Sequence, residues 1–566
     1  MKDVTNSSQQ HAKKSHRNFL ALFSRMGFNA LYILLFVLAF LYYYIALPPI
    51  HYAAFDFWFF LGLIVVGIIV IEVLKDGSNF VFNRSQNTST QFKSMSIKYK
   101  VLFGILPVAL VIWLVSSAIF SPFFMASSYR DMLPVAQADF ETEFSETDVN
   151  QIPLIDRDTA VRLGNRKLGA LTNLVSQFVA SPEYVQININ NYPYRVTPLE
   201  YAGFFKWLNN FSEGIPHYLK VDNVTGEVTV ETPEAPIKYS NADKFWRNIN
   251  RHLRFKYPFT IFGKPSFEVD DEGTPYYIAS TYGRNFFLFE PEVTGLVVVN
   301  ASTGESKHYS LEEIPQWVDR VYSADLVLHQ LQMHGKYVNG FWNTLFSNEG
   351  VTQPTEGYNY LPMDDDLYLY TGITSINADE SNIGFVLVNL RTKEAKMYPI
   401  SAAEEFSAMS SAEGSVQEKG YTATFPLLIN LSGKPVYVLS LKDSSGLIKA
   451  YALVDVQNYQ TVYVESSVEK LLLSYAAENP VDIEELETEE ALLEVVGAVE
   501  NVQAVVKSGN TVYYFMIDGK VYQAPIQLND SLPFLNEGTE VKMGVNESGE
   551  VRSIEWDDAK ENVTTE

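Results

Sequence analysis

The stretch FNALYILLFVLAFLYYYIAL, residues 28–47, has no charged side chain and is closed by Pro48 and Pro49. Two further apolar runs follow, FWFFLGLIVVGIIVIEVL at residues 57–74 and VLFGILPVALVIWLVSSAIFS at residues 101–121. Each run has about the 20 residues that a helix needs to cross roughly 30 Å of hydrocarbon. The sequence therefore predicts three transmembrane helices within residues 28–121, followed by one water-exposed body.

Basic side chains are distributed unevenly around these runs. Residues 1–27 contain five Lys and Arg against one Asp, and residues 75–100 contain five against one, whereas residues 48–56 contain none. Basic loops stay in the cytoplasm. With three spans, this bias predicts a multi-pass plasma-membrane protein with a cytoplasmic N-terminal tail (residues 1–27) and a large extracellular C-terminal domain.

The predicted body is strongly acidic and the chain has no cysteine. Residues 1–125 contain ten of the 42 basic and four of the 67 acidic side chains, so residues 126–566 carry a formal charge of −31. Such a surface repels phosphate backbones, and we expect no nucleic-acid partner. Without cysteine, disulfides, thiolate metal sites and cysteine nucleophiles are excluded.

One short pattern recurs four times in the body. In each copy a strand-like run ends at Asp or Asn, turns over a few residues and returns as alternating apolar and polar residues. Asp and Asn accept hydrogen bonds from turn backbone, and Gly supplies positive φ. The copies are VDNVTGE (221–227), VNASTGE (299–305), VNLRTKE (388–394) and VDVQNYQ (454–460). With the amphipathic helices between them, they predict repeated α+β units.

Two of these units resemble the PepSY module, which has a helix, a G-x-P-x-Y strand and a V-D-x-x-T-G-E hairpin. The resemblance rests on GTPYYI (273–278) with GLVVVN (295–300) and TGE (303–305), and on GKPVYV (433–438) with KDSSG (442–446) and YALVD (451–455). The third copy has Lys393 in place of Gly, and the fourth lacks Thr-Gly. The resemblance implies PepSY-like units at 150–232, at 240–323 and, as a pair, at 324–480. It also implies a non-catalytic extracytoplasmic domain that restrains or regulates peptidases and other envelope enzymes.

The composition changes after Pro480. Residues 481–496 are acidic and predict a linker. Residues 497–556 contain five short strand-like runs with Gly turns, which predict a small all-β, OB-like barrel that lacks the basic groove of an oligonucleotide-binding face. The tail at 557–566 is predicted to be disordered.

The segment between the second and third hairpins contains the candidate site. Two aromatic anchors, an Asp-Arg pair, a His and a Tyr lie close together in sequence and predict a partner-binding cleft; an interdomain helix whose Trp side chains fill the core is the alternative interpretation. These residues are Trp317, Asp319, Arg320, His334, Tyr337 and Trp342. Asp364, Asp365 and Asp366 are weak candidates for a cation such as Ca²⁺, but the run lacks spaced ligands and also suits a solvated turn.

No G-x-S-x-G, H-E-x-x-H, Walker or G-x-G-x-x-G motif is present in the sequence, so it predicts no catalytic residue, metal or cofactor. We expect a non-enzymatic bacterial cell-envelope protein that contacts the lipid bilayer and binds or scaffolds an extracytoplasmic or membrane protein partner. Regulation of an envelope peptidase or wall enzyme would suit this role, and a homo-oligomer stays open. The alternatives are a membrane-tethered extracellular hydrolase, which would need convergent carboxylates around Asp319 and Glu312, and an accessory subunit of a transporter.

Overall fold

The computed structural model describes residues 28–75, 97–285, 290–363, 365–376, 378–479, 493–507, 510–529, 531–545, 549 and 551–556. The chain divides into two compact units, one within residues 1–481 and the other within residues 482–566. The predicted cytoplasmic tail, the predicted disordered tail and most of the predicted acidic linker lie outside the described residues.

Two N-terminal helices are long and apolar enough to cross a membrane, α1 (Phe28–Ala46) and α2 (Phe55–Lys75). The third apolar run lies in α3 (Ile97–Ile119). From Pro107 onward it meets the same criteria only together with α4 (Pro122–Arg130), and the two are bent by 59°. The prediction of three transmembrane helices at 28–47, 57–74 and 101–121 is therefore wrong. Within the described ranges there are two clear candidate spans and one bent pair.

Proline explains the difference. Pro107 lies inside α3, where it removes a backbone donor and favours a kink. Ser121 precedes Pro122 and has an extended backbone, with φ −70° and ψ 158°, as the residue before a proline commonly does. The chain leaves one helix at this point and starts the next with proline in its first turn. Hydropathy alone does not register such a break.

A close approach joins α1 and α2. A Cβ at Gly67 would lie 2.5 Å from Leu35 Cδ1, so a larger residue here would require the Leu35 side chain to shift. Tyr32 donates a hydrogen bond to the carboxylate of Glu72 across the same helix pair. The acidic side chain in the second apolar run is therefore engaged by its neighbouring helix.

The body contains short helices and many strands. Its helices are α5 (Phe140–Glu143), α6 (Arg157–Gly169), α7 (Thr172–Val175), α8 (Phe204–Asn210), α9 (Ile249–Lys256), α10 (Ala324–Lys336), α11 (Asn343–Phe346), α12 (Glu405–Ser415) and α13 (Val468–Glu478). Single 3-10 turns lie at Val149–Gln151, Phe245–Arg247 and Gln417–Lys419.

The strands of the first half are β1 (Val135–Gln137), β2 (Phe178–Ala180), β3 (Val185–Ile189), β4 (Tyr192–Tyr201), β5 (Tyr218–Asp222), β6 (Val228–Glu231), β7 (Ile261–Phe262), β8 (Ser266–Val269), β9 (Pro275–Asn285), β10 (Glu290–Asn300) and β11 (Ser306–Ser310). Those of the second half are β12 (Thr352–Pro354), β13 (Asn359–Met363), β14 (Asp366–Ser375), β15 (Ala378–Asn389), β16 (Ala395–Tyr398), β17 (Ala402–Ala403), β18 (Thr422–Ala423), β19 (Leu427–Leu431), β20 (Lys434–Lys442), β21 (Ile448–Asp455) and β22 (Val462–Glu465).

Four sheets of the described body follow one path. In each sheet, two short strands pair with the same longer strand. This strand pairs with a second one, which pairs with the last strand, and all of these pairs are antiparallel. The paths are β2/β3-β4-β5-β6, β7/β8-β9-β10-β11, β12/β13-β14-β15-β16 and β18/β19-β20-β21-β22. A helix precedes each sheet, namely α6, α9, α10 and α12. We call these four helix-plus-sheet units repeats 1 to 4; β1 and β17 extend the third sheet.

The last two strands of each repeat form the hairpin that the sequence predicts. Asp222 Oδ1 accepts hydrogen bonds from the backbone N–H groups of Val224 (2.7 Å) and Thr225 (2.9 Å). Asn300, Asn389 and Asp455 accept the same pair of bonds in the other three turns. Lys393 has φ +68°, close to Gly226 (+75°) and Gly304 (+76°). The turn geometry is thus retained in repeat 3 although Gly is replaced.

The second sheet is buried on both faces. Tyr277, Ala279, Val297 and Val299 belong to a core shared with the first sheet and α9. The alternate residues Ile278, Leu296 and Val298 belong to a core shared with α10, β14 and β15. Successive side chains of a strand point to opposite faces. Repeat 2 therefore lies between repeats 1 and 3, while α12 and α13 pack on the fourth sheet.

The C-terminal unit contains six described strands: β23 (Leu493–Ala498), β24 (Glu500–Lys507), β25 (Asn510–Ile517), β26 (Lys520–Pro525), β27 (Glu540–Val545) and β28 (Val551–Trp556). They form two three-stranded sheets, β23-β27-β28 and β24-β25-β26, around one core. The predicted five-stranded OB-like barrel is therefore wrong. The physical reason lies at Val499 and Asn501. The chain leaves the first sheet at Val499 and bends at Asn501, whose φ is +49°, so one continuous strand-like stretch supplies strands to two sheets.

We predict that Asp222→Ala lowers the free energy of unfolding by about 1–2 kcal/mol, because two backbone donors of the turn lose their acceptor. Asp222→Asn is the matched control, since Asn300 and Asn389 accept the same bonds in sibling turns. Urea unfolding of the full-length protein in detergent measures both variants. Equal stability of the Ala and Asn variants would contradict the role assigned to this side chain.

Candidate functional site

A cleft of about 780 Å³ lies among the repeats. Its size is within the range of small-molecule and cofactor sites. Repeat 1 contributes Tyr184 and Arg195, repeat 2 contributes Ser280 and Tyr282, repeat 3 contributes Tyr360, and Phe425 comes from repeat 4. The loop between repeats 2 and 3 adds Arg320 and Tyr322. All four repeats are therefore needed to form the walls.

Arg195 is a buried cation in the wall of this cleft. It lies on β4 with only 7% of its surface exposed. Its Nε donates to the carbonyl oxygen of Ile155 (3.2 Å) and its Nη2 donates to Gln186 Oε1 (2.8 Å). Burial lowers the pKa of Arg195 to about 10; the negative charge of Asp156 opposes this shift, and the positive charge of Arg320 adds to it. The guanidinium is thus held rigidly, in a desolvated place, with a second cation nearby.

Arg320 is the second guanidinium of the cleft. Its Nη2 donates to the hydroxyl of Tyr360 (2.6 Å), and its Cζ lies 4.8 Å from the centroid of the Tyr360 ring. Among the residues that the structure describes, neither Arg320 nor Arg195 forms an ion pair with a carboxylate. The positive charge at this wall is therefore not neutralised by a direct partner.

The carboxylates of the cleft have structural roles. Asp156 forms an ion pair with Lys442 (2.9 Å), caps α6 through Thr159 N, and has a lowered pKa although burial opposes this. Glu183 forms an ion pair with Lys264. Asp158 and Asp325 lie in the first turns of α6 and α10, where the helix dipole stabilises negative charge. Asp156 and Glu183 are therefore engaged in ion pairs with lysine.

Tyrosine dominates the rest of the cleft wall, with Tyr184, Tyr282, Tyr322, Tyr358 and Tyr360. Burial raises the pKa of Tyr322 and of Tyr358 to about 12, so both remain neutral donors at physiological pH. Tyrosine offers a large apolar ring with a polar tip. Such a wall suits an extended partner with both apolar and polar groups.

The predicted site residues are distributed over three places. Arg320 lines the cleft. Trp317 packs on Tyr276 (ring centroids 4.9 Å apart) at the margin of the core between repeats 2 and 3. His334 Nδ1 lies 3.0 Å from the carbonyl oxygen of Arg130, and Tyr337 is buried against Tyr129, so this pair joins α10 to α4.

Asp319 is buried at the junction of three repeats. Its Oδ2 accepts a hydrogen bond from Asn188 N of repeat 1 (2.7 Å), and its own N–H donates to Glu268 Oε2 of repeat 2 (3.3 Å). Asn188 Nδ2 donates to the carbonyl oxygen of Asp366 in repeat 3 (3.2 Å). Glu312, in contrast, is exposed. The carboxylates that a hydrolase would need around Asp319 and Glu312 therefore do not converge in the cleft.

Trp342 lies at the surface, with 56% exposure, and contacts Phe123 of α4. Of the acidic run, Asp366 binds Arg391 through two contacts (2.5 and 2.7 Å) and accepts a bond from Asn389. Asp365 accepts a bond from Gln316. Asp364 lies outside the described residues. No group of three or more His, Asp or Glu side chains in the described part of the chain is placed to hold a metal ion.

Arg195 and the tyrosines were not among the predicted site residues, although one signal was present. Arg195 interrupts the otherwise uncharged run YPYRVTP (192–198) of a strand, and a charged residue in a buried strand commonly has a specific partner or function. The tyrosines come from separate repeats, and no spacing in the sequence relates them.

Comparison of the sequence with protein-family models and with curated proteins finds no match. The resemblance to PepSY modules accordingly stays a prediction.

The buried acids predict a pH dependence of stability. Burial raises the pKa of Glu268, and burial together with Glu268 raises the pKa of Asp319. The folded protein keeps these carboxyl groups protonated above the pKa of about 4 that they have in the unfolded chain. The stability that the protonated groups contribute is therefore fully present below about pH 4. It is lost as the pH rises through the raised pKa values. We predict that Glu268→Gln gains stability relative to wild type as the pH rises above about 4.

Urea unfolding at several pH values measures this difference. Ser266, which donates to Glu268 (2.8 Å), can accept from the Gln amide instead. Glu272→Gln, at an exposed position in the same region, is the matched control. A Glu268→Gln difference that does not change with pH would show that these acids ionise normally in the fold.

Proposed function

We propose that this protein is a membrane-anchored, non-enzymatic binding protein whose body lies outside the cytoplasm and holds a segment of a protein partner in the cleft. The observation that carries the proposal is the cleft itself. It has two guanidinium groups without a carboxylate partner among the described residues, a wall rich in tyrosine, and carboxylates engaged in ion pairs or helix starts. Tyr and Arg are the side chains that most often anchor protein interfaces.

Membrane anchoring rests on the two N-terminal helices that are long and apolar enough to cross a bilayer. Contacts of the loop between them support a position of the body on the same side of the membrane as this loop. Ile50 N donates to the carbonyl oxygen of Pro258 (2.8 Å), and Arg254 Nε donates to that of Leu47 (2.9 Å). The loop and the body therefore share one side of the membrane.

The charge pattern supports an extracytoplasmic location for that side. The loop at 48–56 has no Lys or Arg, whereas residues 1–27 and 75–100 are basic, and basic segments remain in the cytoplasm. Only if the bent pair of α3 and α4 is taken as one broken span does the chain return to the side of the body.

The cleft favours a partner that presents an acidic group. The body as a whole carries a large negative charge, yet Arg195 and Arg320 lie together at one wall. A carboxylate of the partner would accept charge-assisted hydrogen bonds from both guanidinium groups in a partly desolvated place, where such bonds are strong. The tyrosine rings would cover the apolar part of the same segment.

The resemblance to PepSY modules suggests the class of partner. Such modules are tied to the restraint of peptidases and other envelope enzymes. We therefore propose that the partner is an envelope enzyme that the protein restrains. This enzyme would insert an acidic segment into the cleft.

Site-specific photo-crosslinking tests the proposal. A benzophenone side chain in place of Tyr358, which lines the cleft and is 38% exposed, is compared with one in place of Tyr459, which is 41% exposed in a turn of repeat 4. In native membranes we expect one defined protein adduct from the first position alone. Adducts of the same kind from both positions, or none from Tyr358, would overturn the proposal.

A second variant tests the role of the acidic group. In the Tyr358 background, Arg320→Gln should reduce the adduct roughly tenfold or more, because a hydrogen bond to a charged group contributes about 1.5–3 kcal/mol. Arg166→Gln, on the exposed side of α6, is the control. An undiminished adduct in the Arg320 variant would show binding without an anion contact.

Cysteine labelling tests the topology in a chain without native cysteine. An impermeant maleimide should label Ser415→Cys, at the exposed end of α12, in intact cells. It should label Ser89→Cys, in the basic segment between α2 and α3, only after the cells are opened. The reverse pattern would put the body in the cytoplasm.

A further inference from the structure

Large aromatic side chains are exposed where the body meets α1. Phe204, Phe205, Phe245, Trp246 and Phe259 each have more than half of their surface exposed. We call this group the α1 patch. The ring of Trp246 lies 5.6 Å from that of Tyr44, in the last turn of α1. Phe259 follows Pro258, which accepts the hydrogen bond from Ile50.

A second group adjoins α4. Phe123, Phe124, Trp342, Leu345 and Phe346 form this α4 patch, in which Phe124 is 68% and Phe346 is 80% exposed. The rings of Phe123 and Trp342 are 5.3 Å apart, and those of Trp342 and Phe346 are 5.7 Å apart. The patch thus combines residues of α4 with residues around α11 of the body.

Both patches lie close to the ends of apolar helices, and this limits their distance from the membrane. Phe123 is four residues beyond the end of α3, so it lies within about 14 Å of that end even if the chain were fully extended. The ring of Trp342 contacts the ring of Phe123, with 5.3 Å between their centroids. Trp246 contacts a residue of a candidate span directly. Trp246 is therefore at the level of the lipid headgroups once α1 is in a bilayer, and Phe204 and Phe205 are linked to it through the rings of Trp207 and Phe245. Phe123 and Trp342 reach the same level when the bent pair of α3 and α4 is taken as one broken span.

We infer that the two patches rest on the bilayer and insert their aromatic side chains among the lipid headgroups and the adjacent acyl chains. Aromatic residues favour this interface, and exposed apolar patches beside it mark membrane contact. The occupant is lipid rather than a protein because each patch is continuous with a membrane segment. The body is thereby oriented on the membrane.

Spin labelling of single cysteines tests this inference in the full-length protein, reconstituted in phosphatidylcholine vesicles at low protein density. Labels at Phe205→Cys and Phe346→Cys replace exposed side chains, 76% and 80%, and Phe406→Cys, at 41% exposure on α12, is the control. Collision rates with oxygen and with a water-soluble nickel complex are compared. We expect the label to collide more often with oxygen than with the nickel complex at the two patch positions. At the control position we expect the reverse.

Two other results would overturn the inference. Nickel access at Phe205 and Phe346 equal to that at Phe406 would place the patches in water. Protection from both reagents, with immobilised spectra, would show that a second copy or another protein covers them. Measurement at both positions separates a local effect of one label from the position of the body.

Discussion

The burial of the second sheet on both faces is the constraint on which the body depends. Residues of β9 and β10 alternate between one core shared with repeat 1 and another shared with repeat 3. A shift of one residue would exchange the two faces, so the register of this sheet sets the positions of both neighbours. β9 also supplies Ile278, Ser280 and Tyr282 to the cleft. The walls that carry Arg195 and Arg320 are therefore held by the packing of the sheet between them.

Buried polar groups connect the repeats at the same junction. Glu268 comes from repeat 2, Asp319 from the following loop and Asn188 from repeat 1. Backbone N–H groups of Asn188 and Asp319 donate to the carboxylates of Asp319 and Glu268, respectively. Asn188 continues the network to Asp366, which binds Arg391. Burial of the acids is costly unless they are protonated or hydrogen-bonded. The network therefore favours one arrangement of the repeats, because any other would leave these groups without partners.

Anchoring and binding place different demands on the surface. Away from the membrane the body is acidic, and Asp and Glu outnumber Lys and Arg in the whole chain by 67 to 42. Close to α1 and α4 the surface is aromatic instead. Within the cleft, two guanidinium groups form a small positive region. In the proposed function, the acidic composition of the body makes this pair of arginines selective, since an anionic group of the partner must fit the cleft closely to reach them.

The sequence by itself determined the features that depend on local physics. These are the apolar composition of the N-terminal helices, the four turns after Val221, Val299, Val388 and Val454, and the acidic body. Turn chemistry and hydropathy act over a few residues, so they can be read from the chain. The bend between α3 and α4 has a local cause in Pro122, which hydropathy does not register. Tertiary structure alone decided the division of the C-terminal strands into two sheets, and the cleft. It also placed Asp319 in a buried junction and Trp342 beside α4, although both lie in one short segment. Those outcomes depend on contacts between residues that are far apart in sequence, and no local pattern encodes such contacts.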